Sequence, residues 1–352
     1  MLKVAIIGAS GYTGGELLRL LARHPKVRIT AATSEQSAGQ PVQALFPNLL
    51  GRLDLVLEPL ELETLSGKAD FFFLALPHTT AMATAAGLLR QGKKVVDLSA
   101  DFRLKDPKQY RQWYQATHTH PDLLRSAVYG LPEVHRAAIR TASLVANPGC
   151  YPTGALLGLI PLLSGRAALK GPRIHLDGIV IDAKSGVSGA GRRVELAYHF
   201  SEVNESASAY QVASHRHLPE IEQEIAALAG KPVCVSFTPH LLPMTRGILT
   251  TLYARMKKPL PSPDWVKQFE GFYRDEPFVH ILPSGQWPNT RAVRGSNACH
   301  IGVVADPRTE QVIIVTAIDN LVKGAAGQAI QNMNLMMGFD ETLGLEDPGL
   351  FP

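Results

Sequence analysis

The stretch Val4-Ala5-Ile6-Ile7-Gly8-Ala9-Ser10-Gly11-Tyr12-Thr13-Gly14 constrains the fold more than any other part of the chain. An apolar run with no polar break reads as a strand buried on both faces. Glycines at every third position follow at once, and Leu17, Leu18, Leu20 and Leu21 then recur at helical spacing. Gly8, Gly11 and Gly14 let the backbone turn tightly against a pyrophosphate, where unpaired N–H groups and the helix dipole favour an anion. The common fingerprint has a glycine where this chain has Ser10, so the match is to a GxxGxxG variant. Its place between a strand and a helix predicts a dinucleotide site, with Ser10, Tyr12 and Thr13 in the same turn. Apolar runs at 27–33, 71–76, 95–98 and 144–146 alternate with helical patterns such as 80–91. That alternation predicts an α/β unit with a doubly wound parallel sheet.

After about residue 150 the pattern changes. Runs at 174–183, 233–239, 247–256, 279–282, 299–305 and 311–318 are β-rich, with few helices and with Pro/Gly turns between them. They predict an α+β unit with a mixed or antiparallel sheet, and 319–337 returns to helix before Gly338. The expected division is a nucleotide-binding domain at 1–148 and a catalytic, substrate and oligomerisation domain at 149–318.

Composition narrows the partners. A 45% hydrophobic share supplies packed cores, and 35 basic against 31 acidic side chains over 352 residues leave a net charge of only +4. That charge is too dilute for a dedicated nucleic-acid binder, and it suits an anionic small molecule. The longest apolar run, 154–163, contains Pro161 and falls short of the ~20 residues that span a bilayer. Met1-Leu2-Lys3 enters the first strand without a signal-peptide pattern, so the expectation is a cytoplasmic protein with no membrane partner.

Cysteines at 150, 234 and 299 form no CxxC pair, which leaves neither a disulfide framework nor a thiol zinc site. Cys234, inside the apolar run 233–237, and Cys299, at a strand start, read as core residues. Cys150 differs. It sits in Asn147-Pro148-Gly149-Cys150-Tyr151-Pro152-Thr153, where the apolar helix 154–163 begins. A helix N-terminus lowers a thiol's pKa, and the thiolate is the nucleophile.

A proton-transfer partner is expected in His215-Arg216-His217, which precedes Leu218-Pro219-Glu220 and a helix to about 229. There an imidazole can face a cleft, with Glu220 as its orienting group. His118 and His120 form a similar pair, read as a solvated loop. Neither pair has a third ligand at metal-site spacing, so no metal is expected. Ser185-Gly186-Val187-Ser188-Gly189-Ala190-Gly191-Arg192-Arg193 has the composition of a backbone nest for phosphate or carboxylate. Arg103, after the strand ending near Asp97, is placed to clamp such a group or to pair with Asp101. At the tip of the second strand, Ser34 and Ser37 flank the only acid, Glu35. That tip tolerates a ribose 2′-phosphate, which favours NADP(H) over NAD.

A dinucleotide site with a nucleophilic cysteine and a histidine points to carbon passing between aldehyde and acyl levels. Hydride transfer joins hemithioacetal and thioester, and the histidine moves the proton. An anion nest makes phosphate the acceptor or leaving group.

In order and spacing, Gly8–Gly14, Leu98–Arg103, Tyr129-Gly130-Leu131-Pro132-Glu133, Asn147–Thr153, Ser185–Gly191 and His215–Glu220 resemble the N-acetyl-γ-glutamyl-phosphate reductases. Residues 319–329 are similar to a stretch shared with aspartate-semialdehyde dehydrogenases. The resemblance implies a Rossmann-type first domain in a glyceraldehyde-phosphate-dehydrogenase-like architecture, completed by 319–352, in a homodimer or homotetramer. It implies NADPH-dependent reduction of N-acetylglutamyl 5-phosphate, a small acyl phosphate, in arginine biosynthesis. It places the acid/base within the His215/His217 pair without choosing between the two rings; His217 is read as the acid/base and His215 as a substrate contact. Arg103, Ser188, Gly189 and Arg192 would hold substrate or phosphate, and Ser185, Gly186 and Asn320 would lie near the cofactor. A related reductase of lysine biosynthesis, acting on aminoadipyl phosphate held by an acidic carrier protein, is the nearest rival, and a non-catalytic NADP-binding sensor is a more distant one.

Overall fold

The apolar run that opens the chain becomes a central strand. In the computed structural model, which describes residues 1–163, 172–192 and 194–351, it is β1 (Leu2–Ile7). It lies in a sheet with β2 (Val27–Ala32), β3 (Phe71–Leu74), β4 (Lys94–Asp97), β5 (Val128–Tyr129) and β6 (Leu144–Ala146). The order is β2-β1-β3-β4-β6-β5 and every pair is parallel. Strand order reverses at β1, so the crevice beyond its C-terminal end is the ligand position for a sheet of this kind. Phe71, Phe72, Phe73 and Leu74 are all 0% exposed, as strands covered on both faces require.

Helices at Pro107–Tyr114, Pro121–Ser126 and Pro132–Thr141, each opened by its proline, were not legible in the sequence pattern. The Gly327–Met336 helix packs against Pro132–Thr141, and all its residues are buried. Buried amides need partners. Here the N–H ends of Gln328 and Asn332 are paired, while Gln328 Oε1 and Asn332 Oδ1 are buried without a hydrogen-bond partner among the described residues. Gln328 and Asn332 donate to the Gly130 carbonyl at 3.1 and 2.9 Å, and Asn332 also donates to Asn147 Oδ1 at 3.1 Å.

The second sheet has β7 (Ile179–Ser185), β8 (Ser208–Ala209), β9 (Val235–Leu241), β10 (Ile248–Arg255), β11 (Val279–Ile281), β12 (Cys299–Asp306) and β13 (Gln311–Ile318). Its order is β11-β12-β13-β10-β7-β9-β8; β11/β12 and β7/β9 are parallel and the other pairs antiparallel. Burial alternates along the strands, so one face is covered and the other half-open. The covered face receives the Cys150–Leu163 helix against β10 and β13. Pro161 inside that helix cannot donate to the Leu157 carbonyl, and the Tyr273 hydroxyl donates to it instead at 2.5 Å.

The chain divides into two units: Met1–Gly149 with Ala325–Glu346, and Cys150–Gly324 with Asp347–Pro352. Residues 319–324 and 347–352, expected with the nucleotide domain, group with the second unit. The expected helix from 319 is also modified, because Val322–Ala326 is a π-helical turn and the α-helix begins at Gly327. Among the described residues no helix is long and apolar enough to cross a membrane.

Candidate active site

The three glycines of the first turn do different work. Gly8 has φ +85°, and a β-carbon there would lie 2.5 Å from the Ala75 carbonyl oxygen. At Gly14 it would lie 2.6 Å from Ala9 Cα. At Gly11 it would meet nothing within 4 Å, so nothing in the protein demands a glycine there. Gly11 is also the N-cap of the Tyr12–Leu21 helix, which has no side-chain cap. An uncapped helix start with open room at its glycine is the cradle a pyrophosphate needs. Tyr12 is exposed and Thr13 half-buried at this start. Ser34 is buried, donates to Ser10 Oγ at 3.0 Å and accepts from Ser37 N–H at 3.1 Å, which ties the β2 tip to the turn.

A buried polar cluster fills the ends of β3 and β4. Asp101, 0% exposed, accepts from Thr79 N–H (2.6 Å), Ala81 N–H (2.9 Å) and the Tyr110 hydroxyl (2.7 Å). Thr79 takes φ +73°, costly for a β-branched residue, and its bond to Asp101 helps hold it there. Asp97 accepts from Ser99 N–H and Oγ; burial, then the nearby Asp101 charge, push its carboxyl up to about 7. His118 is 5% exposed, packs edge-on to Phe102 and Tyr110, and meets the Asp101 carbonyl at 2.8 Å, so it is a core residue and not part of a solvated loop. Arg103 is also 5% exposed. Its Nε donates to the Asn147 carbonyl at 2.8 Å and its Nη2 to the Leu98 carbonyl at 2.9 Å, which braces the loop just before Cys150.

Cys150 is half-buried at the first residue of its helix. Its neighbour Tyr151 shares a 2.8 Å hydroxyl–hydroxyl hydrogen bond with Tyr210, and burial pushes both phenols above their ordinary range. The Tyr151 ring meets His215 and His217 at centroid distances of 5.4 and 5.9 Å, and the two imidazoles lie 4.8 Å apart. Tyr210 and Phe237 complete the box around His215. Burial, and secondarily Arg216, lower His215 to about 4. Its Nδ1 accepts the His217 N–H at 3.1 Å, which fixes a neutral Nε2–H tautomer. His217 is the N-cap of the Leu218–Ala229 helix, and Glu220 is 0% exposed in that helix's first turn. Sequence reasoning missed both tyrosines, because only folding brings 151 and 210 together. Cys299 is buried as expected, but Cys234 is exposed, because it faces the open side just before β9.

The 185–191 loop is fastened from below. Gly186, Val187 and Ser188 N–H groups donate to the carbonyls of Gly247, Met244 and Thr245. Ser185 Oγ donates to the Gly186 carbonyl at 2.9 Å. Asn320 bridges this loop to the next, with Nδ2 donating to Ser188 Oγ (2.9 Å) and Oδ1 accepting from Gly247 N–H (2.8 Å). Gly189 and Arg192 are exposed, and Arg193 lies outside the described residues. Among the described residues no group of His, Cys, Asp and Glu is arranged to hold a metal.

Residues 3–142 match the family model described as semialdehyde dehydrogenase, NAD binding domain, and residues 150–320 match semialdehyde dehydrogenase, dimerisation domain. The chain is 53% identical over 352 residues to a protein of Moorella thermoacetica named N-acetyl-gamma-glutamyl-phosphate reductase, covering 100% of each. It is 56% identical over 353 residues to the protein of the same name from Geobacter metallireducens, again covering 100% of each. Among solved structures it is similar to aspartate semialdehyde dehydrogenase II of Vibrio cholerae complexed with ASA, at TM-score 0.72 and 18% identity over 96% of this chain and 98% of that one. The Candida albicans aspartate semialdehyde dehydrogenase with NADP gives TM-score 0.71 and 17% identity over 96% and 99%. At those identities the likeness shows the fold. The first unit therefore carries a nucleotide-cofactor domain.

Proposed function

The chain belongs to the N-acetyl-gamma-glutamyl-phosphate reductase family, and from that premise we propose that it reduces N-acetyl-L-glutamyl 5-phosphate with NADPH, releasing the 5-semialdehyde and phosphate. The observation that carries the mechanism is a half-buried thiol at the start of an apolar helix, beside a tyrosine whose ring touches two histidines. Cys150, as thiolate, attacks the acyl carbon; the C–S bond forms, the C–O bond to phosphate breaks, and phosphate leaves. NADPH, when bound, would supply the hydride that takes the thioester to the hemithioacetal level. His217 gives its proton to the developing oxygen and takes it back as the C–S bond breaks, which restores the thiolate. The fixed neutral tautomer of His215 supports this division of labour, since a histidine near pKa 4 carries too little imidazolium to act as the acid. His215 serves as a neutral donor to substrate, and Glu220, buried in the first turn of the following helix, is the orienting group of the pair. Ser188, Gly189 and Arg192 supply the anion side, with Ser185, Gly186 and Asn320 towards the cofactor.

NADP(H) is favoured by the hydroxyl-lined β2 tip, where Ser34 is held against Ser10, Ser37 is half-buried and Glu35 points to solvent. The half-open sheet face, with Leu249, Tyr253, Ile313 and Val315 at its centre, fits a second copy of the chain in a homodimer or homotetramer. The expected location is the cytoplasm. The full-length relatives disfavour the carrier-protein alternative, and the placement of Cys150 disfavours a sensor. Phosphate-dependent NADP reduction by free N-acetylglutamate semialdehyde tests the reading, with Cys150→Ser expected to abolish turnover while sparing nucleotide binding. Activity only on a carrier-bound substrate, or turnover that survives in Cys150→Ser, refutes it.

A further inference from the structure

Gly324 has no need to be glycine for its own backbone, because its φ lies outside the left-handed range. Its reason is Cys150. A β-carbon at 324 would lie 2.9 Å from Cys150 Cβ, and 3.3 Å from both Cys150 Cα and the Asp319 carbonyl oxygen. Neither side of this contact has room to retreat.

On the cysteine side, the helix is seated on its sheet by two further close approaches. A β-carbon at Gly154 would lie 3.2 Å from Thr316 Oγ1, and one at Gly158 would lie 2.5 Å from Leu252 Cδ1. Thr316 Oγ1 also donates to the Gly154 carbonyl at 3.1 Å. On the other side, Gly324 belongs to the π-helical turn Val322–Ala326, a geometry that recurs at functional sites. The turn hangs on Asp319, which is 0% exposed. Its Oδ1 accepts from Leu321 N–H (2.8 Å) and Val322 N–H (3.3 Å), and its Oδ2 accepts from Gly295 N–H (2.7 Å) and faces Arg246 at 3.5 Å. Its carbonyl accepts the Gly324 N–H at 2.9 Å. The adjacent Asn320 carries the same anchorage to Ser188 and Gly247.

We propose that the Asp319–Gly324 segment is a rigid backstop that sets the position of the Cys150 thiol, with Gly324 a positioning residue and Asp319 its anchor. The proposal rests on Cys150 as the nucleophile for its bearing on the reaction, although the contact itself is independent of that role. A methyl group at 324 has to push the cysteine off its place, because both partners are pinned.

The test uses the full chain in a Cys234→Ser background. Cys234 is exposed and would itself be modified, whereas Cys299 is buried, so iodoacetamide then reports Cys150. In Gly324→Ala the alkylation rate falls about ten-fold and its pH midpoint moves, and kcat falls by about the same factor with KM retained, since small misplacements at a reacting atom are costly. Gly67→Ala, exposed in the Leu62–Lys68 helix where a β-carbon meets nothing within 4 Å, keeps the parental rates. If Gly324→Ala fails to fold, as read by loss of NADPH binding, Asp319→Asn loosens the same backstop without adding an atom and is read by the same alkylation profile. A folded Gly324→Ala, or failing that Asp319→Asn, whose Cys150 alkylates at the parental rate and pH midpoint overturns the proposal. Turnover surviving in Cys150→Ser would instead remove the nucleophile reading and leave the alkylation result standing.

Discussion

Replacing each glycine of the opening turn by alanine separates what the fold requires from what the ligand requires. In Gly14→Ala the new methyl lands 2.6 Å from Ala9 backbone atoms, which no rotamer change relieves. Overpacking of that kind costs about 1–3 kcal/mol. Gly8→Ala adds a left-handed penalty of about 1–2 kcal/mol at φ +85° to a 2.5 Å approach to the Ala75 carbonyl. Gly11→Ala does neither, since its φ of −76° and ψ of 170° suit any residue and its methyl enters open space. Its stability should stay within about 0.5 kcal/mol of the parent. Binding should behave in the opposite way. The methyl stands where a pyrophosphate must approach the first-turn N–H groups, and losing a charge-assisted hydrogen bond costs about 1.5–3 kcal/mol, or about ten- to hundred-fold in Kd. Urea midpoints measure the first quantity and NADPH fluorescence titration the second. A Gly11→Ala variant that is destabilised as much as Gly14→Ala, or that binds NADPH as the parent does, refutes the assignment.

Two further outcomes follow from the buried cluster in the same unit. Folded Asp97 keeps its proton up to about 7 while the unfolded chain gives it up near 3.8, so this group makes stability fall as pH rises between those values. Asp97→Asn should flatten that slope in urea midpoints measured from pH 4 to 8, and an unchanged slope would remove Asp97 from the account. Arg103→Met leaves two backbone carbonyls without their charged donor and should cost about 3 kcal/mol or more in chemical denaturation, with KM for the acyl phosphate nearly unchanged. A raised KM at unchanged stability would instead make Arg103 a substrate clamp.

The parallel sheet was legible because β3, β6 and β1 from Val4 onward are apolar without interruption, a pattern that marks strands covered on both faces. The Leu218–Ala229 helix was equally plain, with Pro219 at its start and Gly230 after its end. The helices between 107 and 141 were not, because their exposed faces are rich in Lys, Arg and Gln and dilute the apolar stripe. Cys234 misled because alternation in a half-covered strand puts every second residue outside, whatever its hydrophobicity. His118 misled in the opposite sense, since only the fold supplies the Asp101 carbonyl and the Tyr110 and Phe102 rings that make burial tolerable. The motif around Cys150 was readable, but its surroundings were not. Tyr210 lies far off in sequence and in no motif, and Gly324, although inside the 319–329 stretch, gives no sign in the sequence that it meets Cys150.

The order of the two units along the chain has a consequence for synthesis. The first unit is interrupted at Gly149 and resumes at Ala325. The Gly130 carbonyl and the Asn147 side chain wait for Gln328 and Asn332, which leave the ribosome only after residues 150–324 of the second unit. At ordinary elongation rates that interval is roughly 10–35 s. During it the nascent first unit shows an uncovered apolar groove, which makes it a natural client for a chaperone. A chain released early, before the Gly327–Met336 helix is made, should be cleared by proteolysis even though every residue of the glycine turn and the cysteine loop is already present.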